Sequence, residues 1–265
     1  MSSGPIIWRA TMPKVELSWT GRLARLRFAD PANRNAFNHA FCTDFARASL
    51  DAAAGAPAAI LLEAEGDAFC VGGDIAEFLR ERDRIERHVL ELATLFHAGI
   101  ERLNGTGAPI LVAVNGVAAG GGFSLVCGAD LAIAKRSAKL ISAYTSSGLT
   151  PDGGGTWTLP RLVGWQKAFE IMALNPVLSA EEALRLGLVT RVVEDEEFPA
   201  AVELLAQTLG AMPSDSLIAL KRLMRLGATA TFETTMAAEA SSIARQAGLP
   251  PTLERLDAFM AKRNR

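Results

Sequence analysis

Cysteine is scarce in this chain. Cys42, Cys70 and Cys127 are odd in number and widely spaced, which argues against a disulfide framework and a zinc-binding pattern. A reducing, cytoplasmic setting is the expected location. Basic charge is not in excess either: the net charge is −2 over 265 residues, so no domain-wide surplus exists to neutralise the phosphates of a nucleic acid. No run of 18 apolar residues occurs, and no membrane span is expected. The opening MSSGPIIWRATMPK has no continuous apolar stretch of signal-peptide length and reads as a loosely held arm. Tandem repeats, low-complexity tracts and a flexible linker are all missing. What is present is 49% hydrophobic and 21% charged residues. That suffices for a full core in one large domain, or in one domain with an appendage.

The pattern along the chain changes once. VELSWT (15–20) and RLARLRFA (22–29) alternate about Thr20-Gly21 and read as a hairpin. DPANRNAFN (30–38) is a turn cluster, and a helix is expected near 38–54. AAILLEAEG (58–66) reads as a buried strand followed by a loop, DAFCVGGDI (67–75). Residues 76–104 are charged and periodic, one long helix or two, with His39 and His88 at solvated helix positions. PILVAVNGV (109–117) is the most strand-like run, and LAIAK (131–135) and AKLIS (138–142) are further strands. Beyond about residue 160 every periodic segment reads as a helix with polar caps and Gly or Pro stops. Such short amphipathic helices must bury their apolar faces on the core or on a sister subunit, which points to a homo-oligomer.

Two loops share a glycine-rich composition, FCVGGDI (69–75) and AAGGGFS (118–124). Each comes after an apolar strand and precedes a helical pattern. Glycine there lets a ligand approach bare backbone N–H groups, and the first helical turn adds partial positive charge. A pair of such donors aimed at one oxygen stabilises negative charge that develops there during a reaction. Three better-known glycine motifs fail. From Gly120 the dinucleotide fingerprint meets Leu125 where glycine is needed; no phosphate loop with its Lys-Ser/Thr ending is present; and Val126 breaks a nucleophile elbow around Ser124. Close strand–helix packing in a tight turn demands the same glycines, and spacing alone leaves both readings open.

NGVAAGGGFSLVCGADLAIA (115–134), with FCVGGDI upstream, GLTPDGGGTWTLPRLVG downstream, the NRNAFN loop (33–38) and the terminal FMAKR (259–263), resembles the enoyl-CoA hydratase/isomerase, or crotonase, superfamily over nearly the whole chain. The resemblance implies an α/β fold: a spiral of ββα units (residues 1–200) carrying the acyl-CoA site, then a C-terminal helical trimerisation region (201–265). It implies acyl-coenzyme A thioester substrates and a homotrimer or dimer of trimers; no metal cluster is visible in the sequence, and the chemistry expected needs neither a metal nor a separate cofactor. It places two oxyanion-hole donors on the backbone N–H of Gly73 and Gly121. Two amides fixed on a thioester oxygen stabilise the enolate more than the ground state, and that difference is catalysis.

The superfamily keeps the hole and varies the acid and base. Family hydratases carry glutamates at the positions of Ser124 and Tyr144. Hydration needs a carboxylate to activate water and an acid to protonate carbon. Both carboxylates are missing here, which makes an ordinary hydratase a poor reading. Asp152, in GLTPDGGGTW, resembles the single aspartate of ring-1,2-epoxyphenylacetyl-CoA isomerases and Δ3,Δ2-enoyl-CoA isomerases. One partly desolvated carboxylate suffices for a 1,3-proton shift, and Leu149, Trp157 and Leu159 are candidate walls. Pro-Asp-Gly-Gly is also an ordinary turn sequence. Family aryl-CoA dehalogenases attack the ring with a carboxylate at this position, helped by a helix histidine, and His97 lies on such a helix; they resemble a tryptophan-bearing pattern where this chain has Tyr144.

For the coenzyme, the resemblance assigns Arg34 a place near the phosphates and Ala36 backbone contacts to the pantetheine arm. Gly72, Asp74 and Ile75 fall in the loop that meets substrate, with Asp74 and Ile75 toward the adenine end. Tyr144 is assigned to the substrate pocket, and Lys262 reaches for a phosphate from the C-terminal helix. Two further hypotheses stay beside the isomerase: a hydratase with atypical acid/base residues, and a catalytically quiet acyl-CoA-binding protein.

Overall fold

The computed structural model describes residues 12–263. Most of the expected N-terminal arm lies outside the described residues. The hairpin forms as expected, β1 (Val15–Thr20) against β2 (Leu23–Phe28), antiparallel about the Gly21 turn. The turn cluster leads into α1 (His39–Ala54), whose first turn is capped by the Asn38 side chain accepting from Phe41 N–H at 2.9 Å.

The chain then takes up a repeating stride. β3 (Ala59–Ala64) enters a large sheet and β4 (Ala68–Cys70) leaves it for a small one. The helices α2 (Ile75–Arg80) and α3 (Ile85–Gly105) return the chain to β5 (Ile110–Val114), again in the large sheet. β6 (Val117–Ala119), α4 (Gly121–Gly128), β7 (Leu131–Lys135) and β8 (Lys139–Ile141) repeat the stride. α5 (Gly155–Val163), α6 (Trp165–Leu174), β9 (Leu178–Ser179), α7 (Ala180–Arg185), β10 (Arg191–Val193) and α8 (Phe198–Ala211) complete the body. α9 (Ser214–Gly227), α10 (Phe232–Ala247) and α11 (Pro250–Arg263) end the chain.

The large sheet has the order β1-β2-β3-β5-β7-β10 and is parallel from β2 onward; the small sheet has the order β4-β6-β8-β9. Parallel strands are covered on both faces, and the sequence pattern obeys this. Every residue of β5 is buried. One face of the large sheet sends Leu26, Phe28, Ile60, Leu62 and Val112 into the main core. The other sends Leu23, Leu61, Leu111 and Ile133 against Phe198, Val202 and Leu205 of α8. By contrast, α10 and α11 bury none of their residues within the single chain, and Phe232, Ile243 and Phe259 are more than half exposed.

Three expectations are corrected. Residues 67–75 are not all loop, because β4 lies inside them and pairs with β6. The chain beyond residue 160 is not all helix, because β9 and β10 join the two sheets. Strands of two or three residues are too short to show a period, so only their partners reveal them. His88 is buried rather than solvated: it is 3% exposed, with its ring edge-on to Phe78 and Nε2 3.5 Å from Glu77 Oε1. The helix α2 covers it, which the charged appearance of residues 76–104 hides. Among the described residues, no helix is long and apolar enough to cross a membrane.

Candidate active site

The two glycine loops lie in contact at the ends of β4 and β6, which pair in the small sheet. A Cβ on Gly72 would lie 3.3 Å from Gly120 Cα, and one on Gly120 would lie 3.2 Å from Gly72 Cα. Gly120 takes a positive φ of 53° to turn the strand into α4. The next two glycines are required by space. A Cβ on Gly121 would overlap the Phe37 ring at 2.3 Å, and one on Gly122 would meet the Cys70 carbonyl oxygen at 2.5 Å. Backbone has therefore replaced side chain where α4 starts, which accounts for three consecutive glycines in the core.

Close packing here frees particular amides. Phe37 N–H donates to Gly72 O at 2.7 Å and Phe37 O accepts from Asp74 N–H at 3.1 Å, a bridge that leaves Gly73 N–H on the opposite side. Gly72 N–H donates to Cys70 Sγ at 3.4 Å, and Gly120 N–H to Ile141 O at 3.2 Å. Among the described residues, neither Gly73 N–H nor Gly121 N–H has an acceptor. Gly121 opens an eight-residue helix, whose first N–H groups have no partner within it.

Side chains form the other half of the site. Asp152 precedes the turn Gly153-Gly154, where both glycines have positive φ, and its side chain is 34% exposed. The Tyr144 hydroxyl donates to Asp152 Oδ1 at 2.5 Å and lies 3.3 Å from Ser124 Oγ. Burial, first, and the neighbouring Asp152 charge, second, push the Tyr144 phenol well above its ordinary range, so it stays protonated and donates. His97 Nε2 lies 3.4 Å from Asp152 Oδ2 and accepts from Gly153 N–H at 3.0 Å. One nitrogen cannot serve both: unprotonated it accepts from Gly153, protonated it donates to Asp152. The shorter contact, to Gly153, is that of the neutral ring carrying its proton on Nδ1. Asp152 nonetheless raises the affinity of His97 for a second proton, chiefly through the hydrogen bond that a protonated Nε2 donates to it and against the opposing effect of burial.

Ser124 also marks a steric fact. A Cβ on Gly155 would lie 2.7 Å from Ser124 Oγ, and one on Gly153 would lie 3.0 Å from Ser124 Cβ. The turn that carries Asp152 is packed directly on residue 124, and a larger residue there would displace it. Behind this contact a small cavity of about 30 Å³ runs between α3 and α4, lined by Leu62, Ile100, Leu103, Leu125, Ser124 and Gly153.

The other expected residues divide by environment. Leu159 is fully buried in the main core, whereas Leu149 and Trp157 are 40% and 51% exposed at the rim. Arg34 is half exposed and 3.7 Å from Asp67 Oδ1. Its loop is anchored by buried Asn35, whose amide donates to Glu65 O and Ala68 O, both at 3.0 Å. Ala36 is buried, with its N–H donating to Asn33 O and its carbonyl accepting from Asn38 N–H. Asp74 is the N-cap of α2: it accepts from Glu77 N–H at 2.9 Å and from Asn33 Nδ2 at 3.1 Å. Despite partial burial, which opposes it, those hydrogen bonds hold its carboxyl below the usual range. Ile75 is half exposed beside it. Lys262 is exposed on α11 and makes no ion pair among the described residues. Two contacts had no sequence signal: the cysteine under the first glycine loop, and the convergence of residues 97 and 124 with the 144–152 connection.

The repeated ββα strides and the C-terminal helices make a crotonase-like α/β fold. A solved structure from Mycobacterium abscessus, assigned to the enoyl-CoA hydratase/isomerases, superposes with a TM-score of 0.89 at 30% identity, covering 94% of this chain and 96% of that one. The family profile described as Enoyl-CoA hydratase/isomerase matches residues 20–264, and the chain belongs to that family. Its relatives do different chemistry. It is 35% identical over 207 residues to the 1,2-epoxyphenylacetyl-CoA isomerase of Escherichia coli K12 (77% of this chain, 79% of that protein). It is 30% identical over 256 residues to 4-chlorobenzoyl coenzyme A dehalogenase-1 of an Arthrobacter species (95% and 92%).

Proposed function

We propose that the protein is an acyl-CoA isomerase that moves a double bond by a 1,3-proton shift through a thioester enolate. The amides of Gly73 and Gly121 hold the thioester oxygen. Asp152 Oδ2 takes a proton from C2, the C–H electrons pass into the carbonyl, and the same oxygen returns the proton at C4 as the double bond shifts. Tyr144 occupies Oδ1, so one carboxylate oxygen is held and the other works. With His97 neutral and bound by Gly153, Oδ2 has no donor on it and is free to accept. No separate cofactor enters this sequence; coenzyme A is part of the substrate. The phosphate and pantetheine contacts proposed for Arg34, Ala36, Gly72, Asp74, Ile75 and Lys262 belong to this reading. So does a homotrimer or dimer of trimers, favoured by the apolar residues that α10 and α11 leave open.

The single observation that carries the isomerase reading is the Tyr144–Asp152 pair packed against Ser124. Ser124, at one of the two positions where family hydratases bear a glutamate, packs on the Gly153–Gly155 turn, and Tyr144 takes the other, which leaves Asp152 as the carboxylate of the proposed reacting centre. The test is exchange of C2 and C4 hydrogens of a 3-enoyl-CoA into deuterated water, with double-bond migration measured alongside. Migration by Asp152→Asn at the wild-type rate would sink the assignment. Hydration of crotonyl-CoA without migration would favour the atypical hydratase, and tight thioester binding without exchange would favour a quiet binding protein.

The contact of His97 with Asp152 favours a second reading, aryl-CoA dehalogenation with Asp152 attacking the ring. Halide release from 4-chlorobenzoyl-CoA would establish it. Tyr144, where dehalogenases resemble a tryptophan pattern, weighs against it.

A further inference from the structure

Cys70 is the last residue of β4 and lies fully buried between the two glycine loops. Its sulfur accepts Gly72 N–H at 3.4 Å. Gly122 packs on the same residue: a Cβ there would lie 2.8 Å from Cys70 Cβ and 2.5 Å from Cys70 O. Gly72 precedes the first open amide and Gly122 comes just after the second. Gly122 is also the second residue of α4, where the helix itself offers its N–H no acceptor.

We propose that Cys70 is a positioning residue that sets the separation of the Gly73 and Gly121 amides by holding the residue beside each, Gly72 by a hydrogen bond to its sulfur and Gly122 by close packing. The inference rests on the reading of those amides as the holders of a thioester oxygen. Burial pushes the Cys70 thiol up, so it stays neutral and adds no charge beneath the developing enolate. The side chain thereby couples two loops that belong to successive strides of the spiral.

The test uses the full chain with benzoyl-CoA labelled with ¹³C at the carbonyl, a thioester with no α-hydrogen and so inert to the proton shift. Difference infrared spectroscopy reads how far the bound carbonyl stretch is lowered, and kcat and KM are measured with 3-hexenoyl-CoA. Cys70→Ala is expected to lose much of the carbonyl shift and about tenfold in kcat, with KM nearly unchanged, as for a displaced rather than deleted donor. Cys70→Ser, with a shorter C–O bond, is expected to fall between alanine and wild type in both readouts. A Cys70→Ala enzyme with the wild-type shift and kcat overturns the proposal. If the alanine variant fails to fold, a serine variant indistinguishable from wild type in both readouts overturns it equally. Absence of any shift in the wild-type protein would instead show that the amides do not hold the carbonyl.

Discussion

The site has two halves made of different material. The amide half is backbone: Gly73 and Gly121 are placed by glycine contacts, a short bridge to Phe37 and the start of α4. The carboxylate half is side chain: His97 from α3, Ser124 from α4, and Tyr144 and Asp152 from the connection between β8 and α5 meet through polar contacts. On the proposed reading the first half would polarise the carbonyl of a bound thioester, and the second would select the reaction, because changing one side chain there changes which atom receives or gives a proton. Relatives named for an isomerase and for a dehalogenase on the same fold are what this division permits.

Breaking each half separately sharpens the distinction. Asp152→Asn removes the only carboxylate of the second half and is expected to lower kcat by about 10³ while leaving the affinity for benzoyl-CoA within a few-fold, measured by calorimetry. Gly121→Ala strikes the first half. Its Cβ would enter the Phe37 ring, so α4 must move, and both kcat and the bound carbonyl shift are expected to drop, kcat by about 10². Tyr144→Phe leaves the carboxylate but frees Oδ1, and about tenfold in kcat should go with the lost charged hydrogen bond. The mildest change is His97→Gln. Asp152 raises the proton affinity of His97, so below that elevated pKa an imidazolium donates to Oδ2 and occupies the working oxygen. Activity is therefore expected to climb as pH rises through that pKa, and the glutamine variant to lose this limb of the kcat/KM profile.

The two halves also differ in how far the sequence reveals them. Bare glycines after apolar strands mark a place where backbone must come close, whether for packing or for open amides, and only the family resemblance assigns the amides their numbers. Asp152 and Tyr144 are visible as single residues, but the 2.5 Å bond between them is not, since nothing local in PDGGG or SAYTSSG encodes a contact across a turn. His97 is visible only as a helix histidine next to a core position. Phe96 is buried and His97 turns outward toward Asp152, a distinction that depends on where α5 begins. His88 misleads for the opposite reason: the residues that bury it, Glu77 and Phe78, belong to a six-residue helix inside a stretch that reads as uniformly charged. In the fold, long strands with several buried neighbours are legible, while β4, β6, β9 and β10 exist only through pairing.

The tight fit of Ser124 against Gly155 has an engineering consequence. A glutamate placed at residue 124 would run into the backbone of the PDGGG turn, since a Cβ on Gly155 would already lie 2.7 Å from the smaller Ser124 Oγ. A designer seeking a second carboxylate there would first have to lengthen or re-route the segment bearing Asp152, so loop course constrains what residue 124 can be as firmly as the residue's own chemistry does.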